Sequence, residues 1–251
     1  MMHDRPSQPQ KRTLRERETH VWTCALDSVP PSVETREPCL SEDERTRSAK
    51  FIAPLERRRF ILSRIVLRDI LAGYQGVDAA DVLLAREAGG RPFVEGAERL
   101  YFSLSHSGDV AVIAVADVRI GVDVERVRPI ARAAEIAHRI MHPETVALLQ
   151  SLPQAQFERA FLDAWTQREA HVKAVGGGLF RTPDVLPFDP DLPIDASVRS
   201  VESREDRSQW SVARFLPYPS TRAAVAAPGA LRAVRLMDWN VVHDTTGESS
   251  R

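Results

Sequence analysis

Between Ser103 and Glu125 the chain reads SLSHSGDVAVIAVADVRIGVDVE, an apolar run that ends in Asp123 and Glu125 with Val122 and Val124 interleaved. In an extended strand, alternate side chains share a face. The two valines therefore point into a core while the two carboxylates point together to the other side. Any fold that accepts this segment must cover a sheet and must also accommodate two like charges side by side. A hard divalent cation is the simplest relief, because Mg²⁺ takes oxygen ligands and uses one or two carboxylates. Alternating acid and valine is equally the pattern of a half-exposed strand, so the pair alone leaves both readings open.

The chain has 251 residues, enough for one large domain or two small ones. Its 43% hydrophobic and 27% charged residues describe an ordinary soluble globular protein. A net charge of -1 argues against bulk attraction to nucleic acid or anionic membranes, and neither is expected as a partner. Arginine supplies most of the positive charge, lysine being confined to Lys11, Lys50 and Lys173. Cys24 and Cys39 form no Cys-x-x-Cys pattern, so neither a zinc site nor a disulfide framework is expected. The polar, arginine-rich first twenty residues lack the apolar segment of a secretory signal, and no run approaches the roughly 20 apolar residues that span a bilayer. These features predict a cytoplasmic protein with disordered arms at residues 1–20 and 243–251.

Val21–Leu26 reads as a first strand closed by Pro30-Pro31, and Ser41-Glu-Asp-Glu starts a short charged helix running to about Phe51. Pro54 opens a longer helix whose apolar face carries Leu55, Phe60, Ile65, Leu67, Ile70, Leu71 and Tyr74, with Gly76 after its end. Gly89-Gly90-Arg91-Pro92 is a turn. Leu100–Leu104 and Val110–Ala116 are predicted strands joined by a turn at Ser105–Asp109, and Ile120–Glu125 is the next strand. Helices follow at Ala131–Met141, Pro143–Leu152 and, most strongly patterned, Gln156–Val175, which Gly176-Gly177-Gly178 ends. After a proline-rich loop at Arg181–Ile194, Val198–Leu236 consists of short strands broken by prolines. Strand, helix and hairpin recur in similar order in both halves, which suggests two related α+β lobes.

The strongest helix carries Trp165-Thr-Gln-Arg-Glu169-Ala-His-Val-Lys173, in which Glu169 and Lys173 are neighbours on one face. Alone, such a pair is most simply a surface ion pair of about 0.3–0.5 kcal/mol, and Trp165 is most simply core. His106, between two serines, is most simply an exposed or locally bonded turn residue. Otherwise Ser-His-Ser-Gly gathers donors around an anion. It is no hydrolase nucleophile site, since Gly-x-Ser-x-Gly is absent. The arginines at 57, 58, 59, 64 and 68 form either the solvated face of their helix or, in part, a phosphate clamp.

Taken in order, Gly-Arg-Pro-Phe, Phe-Ser-Leu-Ser-His-Ser-Gly, Gly-Val-Asp-Val-Glu and Trp-x-x-Arg-Glu-Ala-x-x-Lys resemble the 4′-phosphopantetheinyl transferases, in the larger, surfactin-synthetase-activating class. The resemblance spans about Arg45 to Gly178. It implies an α+β fold of two similar lobes, a pseudo-dimer in one chain, each a small antiparallel sheet packed with a long helix. The active site would lie in the cleft between residues 21–118, which bind the nucleotide of coenzyme A, and residues 119–242, which carry metal and catalysis.

The implied reaction moves the phosphopantetheine arm of coenzyme A onto a serine of an apo acyl or peptidyl carrier protein, releasing 3′,5′-ADP. The carriers would belong to polyketide, nonribosomal peptide or fatty acid synthases, and the enzyme would be a monomer. By similarity, Asp123, Glu125 and Glu169 hold Mg²⁺, with Mn²⁺ the alternative. Lys173 contacts the reacting phosphate, and Glu169 is the expected general base, directly or through water. Ser105 and His106 match positions that meet the 3′-phosphate, where a cationic imidazole would be favoured. Arg59 matches a basic position reaching coenzyme A phosphate, Arg91 and Pro92 match positions beside the adenine, and Arg47 falls near a phosphate-binding lysine. The chain departs from the family at Arg168, where lysine is common, and at His171, where an aromatic is common and carrier docking would be affected. The rival readings are a Mg²⁺-dependent coenzyme A phosphohydrolase and a non-catalytic module that binds coenzyme A or a carrier protein.

Overall fold

The structure, a computed structural model, describes residues 12–177 and 184–244, with side chains as far as Val241. Strand β1 spans Glu18–Ala25, followed by helices α1 (Pro31–Glu34), α2 (Glu42–Ser48) and α3 (Pro54–Gln75). A hairpin of β2 (Leu84–Arg86) and β3 (Pro92–Val94) leads to β4 (Tyr101–Ser107), β5 (Val110–Ala116) and β6 (Gly121–Arg126). Helices α4 (Ala133–Ile140), α5 (Pro143–Ser151) and α6 (Gln154–Val175) precede β7 (Arg199–Glu202), β8 (Gln209–Phe215), β9 (Thr221–Pro228), β10 (Ala233–Asp238) and α7 (Trp239–Asp244). Helix α2 begins in a capping box: Ser41 Oγ accepts from Glu44 N, and the Glu44 side chain accepts from Ser41 N. Helix α3 starts on Pro54 and stops at Gly76, whose left-handed backbone (φ 72°) ends the helix.

The architecture is the expected α+β pair of lobes. One sheet runs β10-β1-β5-β4 and the other β6-β9-β8-β7, each backed by a long helix. Strand β5 is buried on both faces, as its unbroken apolar sequence requires. Ala111, Ile113 and Val115 face α3 with Trp22, Val66 and Phe102. Val110, Val112, Ala114 and Ala116 face Val122 and Val124 of β6 together with Val225 of β9. The valines beside Asp123 and Glu125 thus fill a core that both sheets share. No helix among the described residues is long and apolar enough to cross a membrane.

Three expectations change. The arm expected over residues 1–20 is held from Arg12 onward: its guanidinium lies 4.5 Å over the Trp22 ring and donates to Asp69 O and Ile70 O, and β1 begins at Glu18. Met1–Lys11 and residues 245–251 lie outside the described residues. The second lobe does not run to residue 242. Strand β10 lies parallel to β1 in the first sheet, and Trp239, fully buried, joins the first lobe's core. Finally, Ser105–Ser107 belong to β4, because Gly108 (φ 59°) makes a two-residue turn with Asp109 sufficient.

Candidate active site

Strand β4 has an edge, and so does β6. These two edges meet without a backbone ladder, bridged instead by every second side chain of β4. Ser103 Oγ accepts from Val122 N (3.1 Å), Ser105 Oγ donates to Asp123 Oδ1 (2.7 Å), and Ser107 Oγ donates to Glu125 Oε2 (2.7 Å) while accepting from Arg126 N (3.2 Å). The alternation Ser-Leu-Ser-His-Ser puts all three hydroxyls on one face. That signal stood in the sequence, and only the extended conformation of residues 105–107 gives it meaning. Ser105 is consequently buried against Asp123, and neither Ser105 nor the exposed His106 lines the cleft expected to take the coenzyme.

Helix α6 approaches the same strand closely because Gly121 has no side chain. A Cβ there would sit 1.9 Å from Ala170 O and 2.6 Å from Ala174 N. Ala170 and Ala174 of the helix pack on Ala224 and Ala226 of β9, so small residues line the whole seam. This contact brings Lys173 to β6, where Nζ donates to Asp123 Oδ1 (2.6 Å) and Val122 O (3.2 Å). Glu169, one turn earlier, has Arg168 Nη1 3.8 Å from its Oε1. Asp123 Oδ2 and Glu169 Oε1 are both buried without a hydrogen-bond partner.

Burial raises the Glu125 carboxyl above its ordinary value, opposed by the Ser107 bond and reinforced by Asp123. Burial likewise raises Glu169, reinforced first by the charge of Asp123. The three acids therefore feel one another. Among the described residues, however, no three His, Cys, Asp or Glu side chains stand as a ready metal-ligand group. The expected set of Asp123, Glu125 and Glu169 is not gathered around one point: Ser105 and Lys173 both bond Asp123 Oδ1, and Ser107 bonds Glu125 Oε2. Partial burial, then the charges of Arg64, Lys173 and Arg47, hold the His106 imidazole below its usual value. The cationic imidazole expected at this position is thus opposed in the free protein, and an arriving anion would have to reverse the balance.

A cleft of about 280 Å³ opens between the lobes, lined by Arg47, Arg64, Arg86 and Pro92 on one side and by Lys173 and Gly176 on the other. Arg91 lines it as well, but its buried guanidinium donates to Ala174 O (2.6 Å) and Ile120 O (3.2 Å), which fastens the first lobe to the end of α6. Gly89 sits so close to that helix end that a Cβ would lie 2.8 Å from Gly176 O. Arg59 is not among the lining residues. Asp27 holds it through two bonds (3.0 and 2.6 Å) and Glu56 through a third (3.1 Å). His171 is buried edge-on to Trp210, with ring centroids 4.5 Å apart, so its side chain is not on a docking surface. Arg168 is buried too.

A profile described as the 4′-phosphopantetheinyl transferase superfamily matches residues 119–227, and one described as the N-terminal part of 4′-phosphopantetheinyl transferase matches residues 27–118. The chain is 34% identical over 236 residues to the 4′-phosphopantetheinyl transferase HetI of Nostoc sp. strain PCC 7120, covering 91% of this chain and 95% of that protein. It is 31% identical over 147 residues to 4′-phosphopantetheinyl transferase psf-1 of Bacillus pumilus (59% and 62% covered). It is 26% identical over 200 residues to 4′-phosphopantetheinyl transferase Sfp of Bacillus subtilis strain 168 (75% and 87% covered). With both lobes matched and nearly the full length of one relative covered, the chain belongs to the 4′-phosphopantetheinyl transferase superfamily and is an enzyme of that type.

Proposed function

We propose that the enzyme transfers the 4′-phosphopantetheine arm of coenzyme A to a serine of an apo carrier protein, releasing 3′,5′-ADP, with Mg²⁺ held by Asp123, Glu125 and Glu169. The observation that carries this reading is the pair of buried oxygens that accept no hydrogen bond, Asp123 Oδ2 and Glu169 Oε1, at the meeting of β6 and α6. Buried polar atoms are rarely left unpaired, and oxygen donors from carboxylates suit a hard cation. When bound, Mg²⁺ would neutralise charge on the diphosphate and stabilise its departure. The chain's own residues supply the rest. Lys173, already paired with Asp123, offsets one of the three negative charges and offers a point charge to the phosphate. The incoming serine oxygen forms a bond to phosphorus as the bond to the 3′,5′-ADP oxygen breaks, and the serine proton passes to the Glu169 carboxylate, directly or through water. The raised pKa of Glu169 suits it to hold that proton. Ser105 acts by orienting Asp123. We assign the enzyme to the cytoplasm as a monomer serving carriers of polyketide, nonribosomal peptide or fatty acid synthases.

Purified protein, coenzyme A and Mg²⁺ should add the phosphopantetheine mass to at least one apo carrier in a mixed panel, and Asp123→Ala should abolish the gain while the protein stays folded. If an authentic transferase modifies the panel and this protein does not, the reading fails. Release of 3′,5′-ADP without any carrier would replace it by hydrolysis.

A further inference from the structure

At the Glu125 end, the seam between β4 and β6 closes with two side-chain rungs. In the first, Ser107 Oγ donates to Glu125 Oε2 (2.7 Å) and accepts from Arg126 N (3.2 Å). In the second, Arg126 Nε donates to Asp109 Oδ1 (2.6 Å), and Arg126 Nη2 pairs with the same oxygen. Gly108 lies between the two rungs on the β4–β5 turn. A Cβ there would sit 3.3 Å from Arg126 Cδ and 3.4 Å from Arg126 Nε, so the arginine side chain lies close over the turn. The first lobe anchors the same turn from behind, where Leu26 N donates to Asp109 O (2.7 Å). On its other edge β6 is held by β9, which pairs Arg222 with Glu125 and Thr221 with Arg126. The backbone at Glu125 is therefore fixed by β9, and its carboxylate is held from the opposite lobe.

We propose that Asp109 and Arg126 clasp the β4–β5 turn to β6 and so hold Ser107 on Glu125, which makes all three positioning residues for the carboxylate assigned above to Mg²⁺. The inference rests on the transferase reading and adds residues to it. A strand fixes the Cα of a glutamate but leaves several rotamers to its side chain. The Ser107 hydroxyl removes that freedom by taking Oε2, which leaves Oε1 as the oxygen for the cation. Hydrogen bonds that orient a ligating carboxylate govern metal affinity nearly as strongly as the ligands do. Ser107 can orient Glu125 only while the turn stays docked on β6. A hairpin tip is among the first parts of a fold to open, and the charge-assisted bond from Arg126 restrains it. As an isolated surface pair, Asp109 and Arg126 would contribute little. Their place next to the Ser107–Glu125 rung, with one partner from each lobe, is what gives the pair a task.

The test uses Mn²⁺ as the probe metal, read by loss of the free-ion electron paramagnetic resonance signal with coenzyme A present and carrier absent, and corrected for Mn²⁺ held by coenzyme A alone. The Mg²⁺ half-saturation of transfer and the urea midpoint are measured beside it. Ser107→Ala should weaken Mn²⁺ binding and raise the Mg²⁺ half-saturation about tenfold, while KM for coenzyme A at saturating Mg²⁺ stays within about twofold. Ser107→Thr, which keeps the hydroxyl, should recover most of the loss. Asp109→Asn and Arg126→Gln should move both metal constants the same way by less. Added to Ser107→Ala, either should change them by no more than about twofold, because an effect carried through Ser107 cannot be lost twice. The Asp109 and Arg126 side chains are 27% and 38% exposed, so replacing them leaves the core in place, and they carry the test even if Ser107→Ala does not fold. Lower urea midpoints with unchanged metal constants would make the clasp a structural contact and overturn the inference alone. A loss from Asp109→Asn or Arg126→Gln that persists in full on Ser107→Ala overturns it as well. Parent protein that neither binds Mn²⁺ with coenzyme A nor modifies a carrier overturns the transferase reading with it.

Discussion

Glu169 pairs an unfavourable environment with a functional one. Its carboxyl is buried, close to Asp123 and Glu125, and has an oxygen without a hydrogen-bond partner. Its folded-state pKa lies above the unfolded value, so its ionisation destabilises the fold. That penalty is absent below the unfolded pKa of about 4.3 and fully present above the folded one. Glu169→Gln should therefore be more stable than the parent in metal-free buffer at pH 7, with the gain shrinking toward zero as the pH falls through the carboxylate range. Urea denaturation at a series of pH values checks this, and a gain that grows on acidification refutes it. The pairing of Glu169 with Lys173 at i,i+4 was readable from the sequence, and so was the shared face of Asp123 and Glu125. That Lys173 reaches Asp123 instead of Glu169 was not, because the helix spacing says nothing about a strand 50 residues away.

At the scale of elements, the site depends on how close α6 comes to β6. Gly121→Ala places a methyl group 1.9 Å from Ala170 O, a backbone atom that cannot move aside without shifting the helix. The variant should lose about 3 kcal/mol of stability, and transfer should fall with it because Lys173 and Glu169 withdraw from Asp123. A variant as stable and active as the parent would show that the seam is not what sets the site. The serine bridges act in the same way along the other edge of β6. Residues 105–107 read as a turn on composition, since Ser, Gly and Asp favour turns. Pairing of Ser105, His106 and Ser107 with Val112, Ala111 and Val110 overrides that preference and turns alternate hydroxyls toward β6.

At the scale of the molecule, the two lobes are not independent. Val110, Val112, Val122 and Val225 share one core between the sheets, and the chain end returns to the first lobe through β10 and Trp239. Trp239→Ala should cost about 3–5 kcal/mol and should move a single cooperative transition to lower urea for both lobes together. Two separated transitions, or no change in midpoint, would contradict the shared core. Arg91 joins the lobes at the rim of the cleft by holding Ala174 O and Ile120 O. The cleft is thus framed by groups whose first task is to fix its width.

The sequence alone determined the periodicities. An apolar β5 must be covered on both faces, two carboxylates share one face of β6, and Glu169 and Lys173 share one face of α6. The order of four short motifs identified the family. These features are legible because a strand or helix repeats over a few residues and carries its face assignment with it. Tertiary structure decided which of many similar side chains meet. It tied Arg59 to Asp27, turned Arg64 into the cleft, buried His171 against Trp210 and brought β10 back to β1. Partners tens or hundreds of residues apart are chosen by distance in the folded chain, and among many nearly equivalent arginines no local pattern carries that distance.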